Sequence, residues 1–348
     1  MSNILSKSME EDTLSISVSE NRIDTLLEGT SRSFYLSLKV LPKNIRRHIG
    51  LTYLLARLAD TIADSKVGEN KILLQSLKEY NARIQDSNKE LPDFTKLASI
   101  QENKSESELL SDAIIPVNYL EKTDKFTDSD RQKIRRCLDI IIGGQSLDLE
   151  RFTDASGNQI ISLDNEEELD DYTYRVAGSV GELWTHMSLD HLFEMDSEMQ
   201  EILFIKALNF GKSLQLINIL RDLPEDLLMG RCYLPKETLE KYNLSAEDLK
   251  DSKNMEAFKP LFDIYLDRAI SYLNDAIEYI EMLPKNQYRL RLSCMLPVLI
   301  GQRTLILLRK ENILDSKNRI KVMRPEIRRI MWQSIALCLL RKNPKKMI

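Results

Sequence analysis

From Asn21 onward the chain places apolar residues three and four apart, segment after segment. Leu51, Leu54, Leu55, Leu58 and Ile62 form one set, Ile134, Leu138, Ile141 and Ile142 a second, and Ile202, Ile205 and Leu208 a third. That period draws a stripe down an α-helix, whereas a strand would send alternate residues to opposite faces. No stretch alternates apolar and polar residues between turn formers, as a half-buried strand does. The 348 residues include only 11 glycines and are 30% charged, which also favours helices. The expected fold is therefore all-α. With no fixed-period repeat, the simplest organisation is a polar tail over 1–20 and a single helical domain over 21–348. Two irregular connections interrupt it, Asp86–Ser111 and Thr153–Asp164, the second carrying the turn-forming run Asp-Ala-Ser-Gly-Asn.

Charge and cysteine usage narrow the function classes. A net charge of −5 without a long basic run gives nucleic acid no electrostatic footprint. The four cysteines, Cys137, Cys232, Cys294 and Cys338, are scattered, and the three histidines have no zinc spacing. They read as reduced thiols in a cytoplasmic protein. The opening residues lack the basic-then-apolar order of a signal peptide. The late apolar run Ile330–Leu340 falls short of the roughly 20 residues a bilayer demands. Its apolar character leaves room for loose membrane contact.

Two acidic groups stand out against this helical frame. In YLLARLADTIADS, Tyr53–Ser65, Asp60 and Asp64 are four apart and Arg57 lies a turn earlier. In NILRDLPEDLLMGRCYLP, Asn218–Pro235, Asp222, Glu225 and Asp226 follow an apolar run, with Arg221 and Arg231 beside them. Carboxylates four apart share a helix face and repel, so two separate copies of the arrangement ask for a reason beyond solvation. Mg²⁺ supplies one: it takes oxygen ligands from one or two carboxylates and shares the rest with substrate phosphate. Arginine completes the set, because its planar fork meets phosphate oxygens two at a time. Two such clusters facing each other across a helix bundle are expected to hold several Mg²⁺ ions against a diphosphate, inside an apolar shelter.

Four stretches in order resemble the squalene/phytoene synthases, the head-to-head prenyl transferases: TSRSFYLSLKVLP (Thr30–Pro42), YLLARLADTIADS, DDYTYRVAGSVGELW (Asp170–Trp184) and QLINILRDLPEDLLMGRCYLP (Gln215–Pro235). The resemblance implies an isoprenoid synthase fold whose helices surround a central cavity. It implies Asp60 and Asp64 as the first Mg²⁺ motif, and Asp222 and Asp226, with Asn218 a turn before, as the second. By the same likeness Arg32, Ser33, Arg57, Gln215, Arg221 and Arg231 bind the diphosphate substrate. Tyr53 and Tyr172 fall on cavity positions and, with Arg57 and Arg221, on catalytic ones. The small residues of Val176–Gly181 match a segment that leaves room for a prenyl chain, although close helix packing explains them equally. Pro224 lies inside the second motif, so the helix is expected to kink there or to end just before it.

Within the family the chain looks most like the bacterial squalene synthases. These join two farnesyl diphosphates through presqualene diphosphate and reduce the product with NADPH. The stretch Leu296–Asn312 carries that likeness, as does the tail RIKVMRPEIRRIMWQS, Arg319–Ser334, where Lys321 and Arg324 match positions that approach NADPH. A solvated basic turn accounts for those two residues as well. Tyr174 and Arg175 point instead to the phytoene and dehydrosqualene type, which omits the reduction. A non-catalytic helical scaffold of the same fold is a further alternative, set apart by Mg²⁺-dependent release of pyrophosphate from farnesyl diphosphate. A terpene cyclase, which uses the same metal logic, is disfavoured by the SRSF and VAG blocks.

Overall fold

The structure, a computed structural model, describes residues 18–31, 34–65, 70–315 and 319–348. A helix over 18–30 (α1) precedes α2 (Phe34–Val40), α3 (Lys43–Ala63), α4 (Asn70–Gln85), α5 (Thr95–Ser99), α6 (Lys104–Ser111), α7 (Ile114–Lys122) and α8 (Asp128–Arg151). After a two-residue strand, β1 (Ile161–Ser162), come α9 (Glu166–Thr173), a π-helical turn (Tyr174–Gly178), α10 (Ser179–His191) and α11 (Ser197–Leu228). A second short strand, β2 (Arg231–Cys232), leads to α12 (Lys236–Lys241), α13 (Met255–Met282), α14 (Tyr288–Lys310) and α15 (Arg324–Leu339). The expectation of an all-α chain holds. Tertiary contacts divide the described residues into two compact units, those up to 39 with those of 43–146, and 40–42 with those from 147 on.

In the first unit α3 packs against α4, α6 and α7. The stripe read from the sequence is the buried one: Leu51, Leu54, Leu55, Leu58 and Ile62 are all fully buried. Ile134, Leu138, Ile141 and Ile142 of α8 are buried as well. Tyr80 of α4 donates its hydroxyl to the Leu55 carbonyl at 2.9 Å, which satisfies a polar group that burial would otherwise penalise. Asp86–Ser111 is more than a connection, since it holds α5 and α6. The Asn103 side chain caps α6 by accepting from the Ser105 N–H at 3.0 Å. The buried apolar residues of this segment are Phe94 and two short runs, Leu97–Ala98 and Leu109–Leu110. Runs that short carry no readable period among so many polar neighbours.

In the second unit α11 packs against α13, α10 and α14. Asp196 caps its start, accepting from the Met199 N–H at 2.9 Å. The helix forms as expected, but its early face is turned: Ile202 and Ile205 are 41% and 60% exposed, while Leu203 and Ala207 go inside. Pro224 neither ends nor splits α11, which continues one more turn to Leu228. The loop over Thr153–Asp164 is irregular as read, but β1 within it pairs in parallel with β2, Ile161 opposite Arg231 and Ser162 opposite Cys232. Two residues are too few to show strand alternation. Gly230 makes that pairing possible: its φ is +81°, and a Cβ there would lie 2.3 Å from the Ser156 carbonyl oxygen. Among the described residues α14 alone is long and apolar enough to cross a membrane, a run longer than the late segment singled out above. Yet 61% of its apolar window is buried inside the protein, as in a core helix.

Candidate active site

The first acidic motif stands on the open side of α3. Tyr53, Arg57 and Asp60 follow each other at four and three residues, so they share a face, and all three are half-buried beside the buried stripe. Asp64 lies one residue past the helix end, but its N–H still donates to the Asp60 carbonyl at 2.9 Å. Its exposed side chain thus keeps the one-turn offset. Arg57 is ion-paired to both Asp60 and Glu106, the latter in the first turn of α6. Gln145 donates to Asp60 at 3.2 Å. Burial raises the Asp60 pKa and Glu106 pushes the same way, while Arg57 and Gln145 pull it back. Tyr53 packs against Phe34 with ring centroids 5.0 Å apart, and its hydroxyl donates to the Thr30 carbonyl at 3.2 Å. Arg32 and Ser33 lie outside the described residues.

The second motif occupies one face of α11. Gln215, Asn218, Asp222 and Asp226 recur at three and four residues, each half-buried, while Leu216, Ile217, Ile219, Leu220, Leu223 and Leu227 are buried. Because the helix passes through Pro224, Asp222 and Asp226 do share that face. Arg221 grips its neighbour Asp222 through two hydrogen bonds, 2.8 and 2.5 Å. Asp226 is pushed up to about 7 by burial and by Asp222, Asp148 and Glu225, with Arg231 pulling it down. Burial first, and the neighbouring acids with it, thus oppose a charge on Asp226 more than Arg231 favours one.

Glu106, Asp148 and Tyr233 carry no signal in the sequence. Asp148, buried on α8, accepts the Tyr233 hydroxyl at 2.9 Å and lies 3.6 Å from the Arg231 guanidinium. Tyr233 stacks on Tyr172 with centroids 4.6 Å apart, so Tyr172 joins this cluster. Arg319 reaches Glu225 at 2.9 Å and attaches the start of the C-terminal tail to α11. Lys321 and Arg324, further along that tail, are exposed. No spacing signal announces Glu106 or Asp148, each one acid among several on a charged helix.

Gly181 of the third stretch and Gly211 of α11 pack helices. A Cβ on Gly181 would sit 2.1 Å from the Ala207 carbonyl oxygen, and one on Gly211 would sit 2.1 Å from that of Ala177. Helix α10 and the π-turn thus touch α11 backbone to backbone, which selects the packing explanation for Gly181. The donors on both acidic faces are hard oxygens, from carboxylates and the Asn218 and Gln215 amides. With Asp222, Glu225 and Asp148 all acting on Asp226, this donor set fits a hard divalent cation such as Mg²⁺.

A model of the squalene/phytoene synthase family matches residues 27–326. A bifunctional lycopene cyclase/phytoene synthase of Gibberella fujikuroi is 27% identical over 314 residues, 89% of this chain and 51% of that protein. A presqualene diphosphate synthase of Zymomonas mobilis is 31% identical over 211 residues, 61% of this chain and 58% of its own. The chain spans about half the length of these curated relatives. Among solved structures, a complex of TcSQS with the ligand E5700 has a TM-score of 0.73, covering 94% of this chain and 93% of that one at 18% identity, a likeness of fold.

Proposed function

The chain belongs to the squalene/phytoene synthase family, and from that premise we propose that it joins two farnesyl diphosphates head to head, through presqualene diphosphate, to squalene. The observation that supports this best is the pairing of acids with arginine on each motif: Arg57 with Asp60 and Glu106, and Arg221 with Asp222 beside the buried Asp226. Asp60 and Asp64 on α3, and Asn218, Asp222 and Asp226 on α11, are the residues to hold Mg²⁺. When bound, Mg²⁺ neutralises the charge that gathers on a departing diphosphate.

The chain's own groups do the rest. Arg57 and Arg221 turn from their acids to the diphosphate oxygens, with Arg231, Gln215, Arg32 and Ser33 as further contacts. The leaving diphosphate takes the electron pair of the allylic C–O bond. Tyr53 and Tyr172 are the aromatic groups whose π faces would stabilise the resulting cation, and the stack on Tyr233 holds the Tyr172 ring in place. Lys321 and Arg324 are the contacts for NADPH, which when bound supplies the hydride of the final reduction. Their exposure, and the Arg319–Glu225 pair that ties the tail to α11, support that role.

A phytoene or dehydrosqualene synthase is the second reading, favoured by the likeness to a phytoene synthase and by Tyr174 and Arg175. One experiment separates them. The pure protein is incubated with Mg²⁺ and either farnesyl or geranylgeranyl diphosphate, with and without NADPH, and the products are identified by mass spectrometry. Squalene from farnesyl diphosphate only when NADPH is present is the expected result. An unreduced C30 or C40 hydrocarbon indifferent to NADPH selects the second reading, and no release of pyrophosphate rejects both.

A further inference from the structure

The last helix presents a face that none of the proposed chemistry uses. Helix α15 packs on α14 and buries Ile330 and Ser334. Trp332, Ala336 and Leu339, four and three residues apart, run along its opposite side, so they form one outward stripe. Trp332 is 72% exposed, Leu339 80% and the following Leu340 65%. A large aromatic and two leucines left outside on one short helix are not ordinary scatter.

Their charge setting is as unusual as their exposure. Residues 319–348 contain nine lysines and arginines against a single acid, Glu326, in a chain whose net charge is −5. Glu326 is already engaged by Arg303 at 2.8 Å. Arg328 and Arg329 flank the apolar stripe on the same exposed side, and Arg341 and Lys342 follow at its C-terminal end, all four exposed. An apolar centre with an embedded tryptophan and a cationic margin is the pattern of a helix lying in a membrane interface. The molecule supplies its own control. Ile202 and Ile205 of α11 are also exposed, but among Glu194, Asp196, Glu198 and Glu201, where an anionic surface would repel them.

We propose that this face of α15 docks on an anionic phospholipid bilayer, with Trp332, Ala336 and Leu339 entering among the acyl chains and Arg328, Arg329, Arg341 and Lys342 meeting the lipid phosphates. The proposal goes beyond the reading of the reaction and stands without it.

Flotation of the full chain with lipid vesicles tests it. The protein floats with phosphatidylglycerol vesicles, and about tenfold less with phosphatidylcholine alone, because each basic residue adds to binding only on an anionic surface. Two independent double variants, W332S/L339S and R328Q/R329Q, each lose about tenfold or more of that binding, while I202S/I205S keeps it. Magnesium-dependent pyrophosphate release from farnesyl diphosphate is measured on the same variants without lipid and stays at the wild-type level. Loss of flotation with release intact thus separates this surface from the reaction. Wild-type protein that does not float with phosphatidylglycerol, or flotation insensitive to W332S/L339S, overturns the proposal. So does light scattering that shows a wild-type dimer turned monomeric by W332S/L339S, which would assign the face to a second copy.

Discussion

At the scale of single residues the site is a matter of charge held against its preference. Asp226 keeps its proton up to about pH 7 because burial and three neighbouring acids oppose ionisation. In metal-free protein at pH 8 that carboxylate is ionised at a cost to the fold, so Asp226→Asn should raise the thermal midpoint in EDTA while lowering turnover. A midpoint unchanged or lower than wild type would contradict that cost of ionisation. Asp60→Ala and Asp222→Ala should each lower turnover by roughly 100-fold or more, the scale of losing one electrostatic contact to the transition state. Steady-state pyrophosphate release checks this, with circular dichroism to confirm the fold. The aspartates were legible because each pair repeats at helical spacing beside arginine. Glu106 and Asp148 were not, because a single acid on a charged helix has no spacing to betray it, and only packing brings Glu106 to Arg57 or Asp148 to Tyr233.

At the scale of elements, helical period foretold burial where one helix carried its own explanation. The α3 stripe predicted from Leu51 to Ile62 is the stripe that is buried. It failed where burial depends on a neighbour: Ile202 and Ile205 have the period of a core face and point to solvent, since α10, α13 and α14 cover other sides of α11. Close helix contact is testable at Gly181, where alanine puts a methyl 2.1 Å from a backbone carbonyl of α11. Gly181→Ala should cost about 1–3 kcal/mol in urea denaturation. Gly157→Ala, with its nearest atom at 3.5 Å, should change stability by no more than about 0.5 kcal/mol. Glu166 ties α9 to the helices around it, accepting from Tyr265 and Arg268 at 2.6 Å and from Thr238 at 2.9 Å. Burial alone would raise its pKa, but these donors and the Arg268 charge hold it below the usual glutamate range. A depressed carboxylate stabilises above the unfolded pKa and loses that contribution as pH falls through the folded one. Glu166→Gln should therefore melt earlier than wild type at pH 7, and the gap should close below pH 4. A gap that persists there would refute the ionic origin.

At the scale of the whole molecule, a ligand that binds only the folded chain raises its melting point in proportion to its affinity. Mg²⁺ with inorganic pyrophosphate should therefore shift the thermal midpoint upward, EDTA should reverse the shift, and the Asp60→Ala/Asp222→Ala double variant should show none. Calorimetry reads all three, and a shift that survives in the double variant would place the metal elsewhere. The helical class, the two acidic motifs with their arginines and the family were determined by sequence alone, because helical period and short-range spacing are properties of consecutive residues. Tertiary structure decided which apolar face of α11 is buried, that the helix runs on through Pro224, that Gly181 is filled by another helix's backbone, and that the tail folds back so Arg319 meets Glu225. Each of these depends on contacts between residues far apart in the chain, and no local pattern encodes which distant surface will arrive.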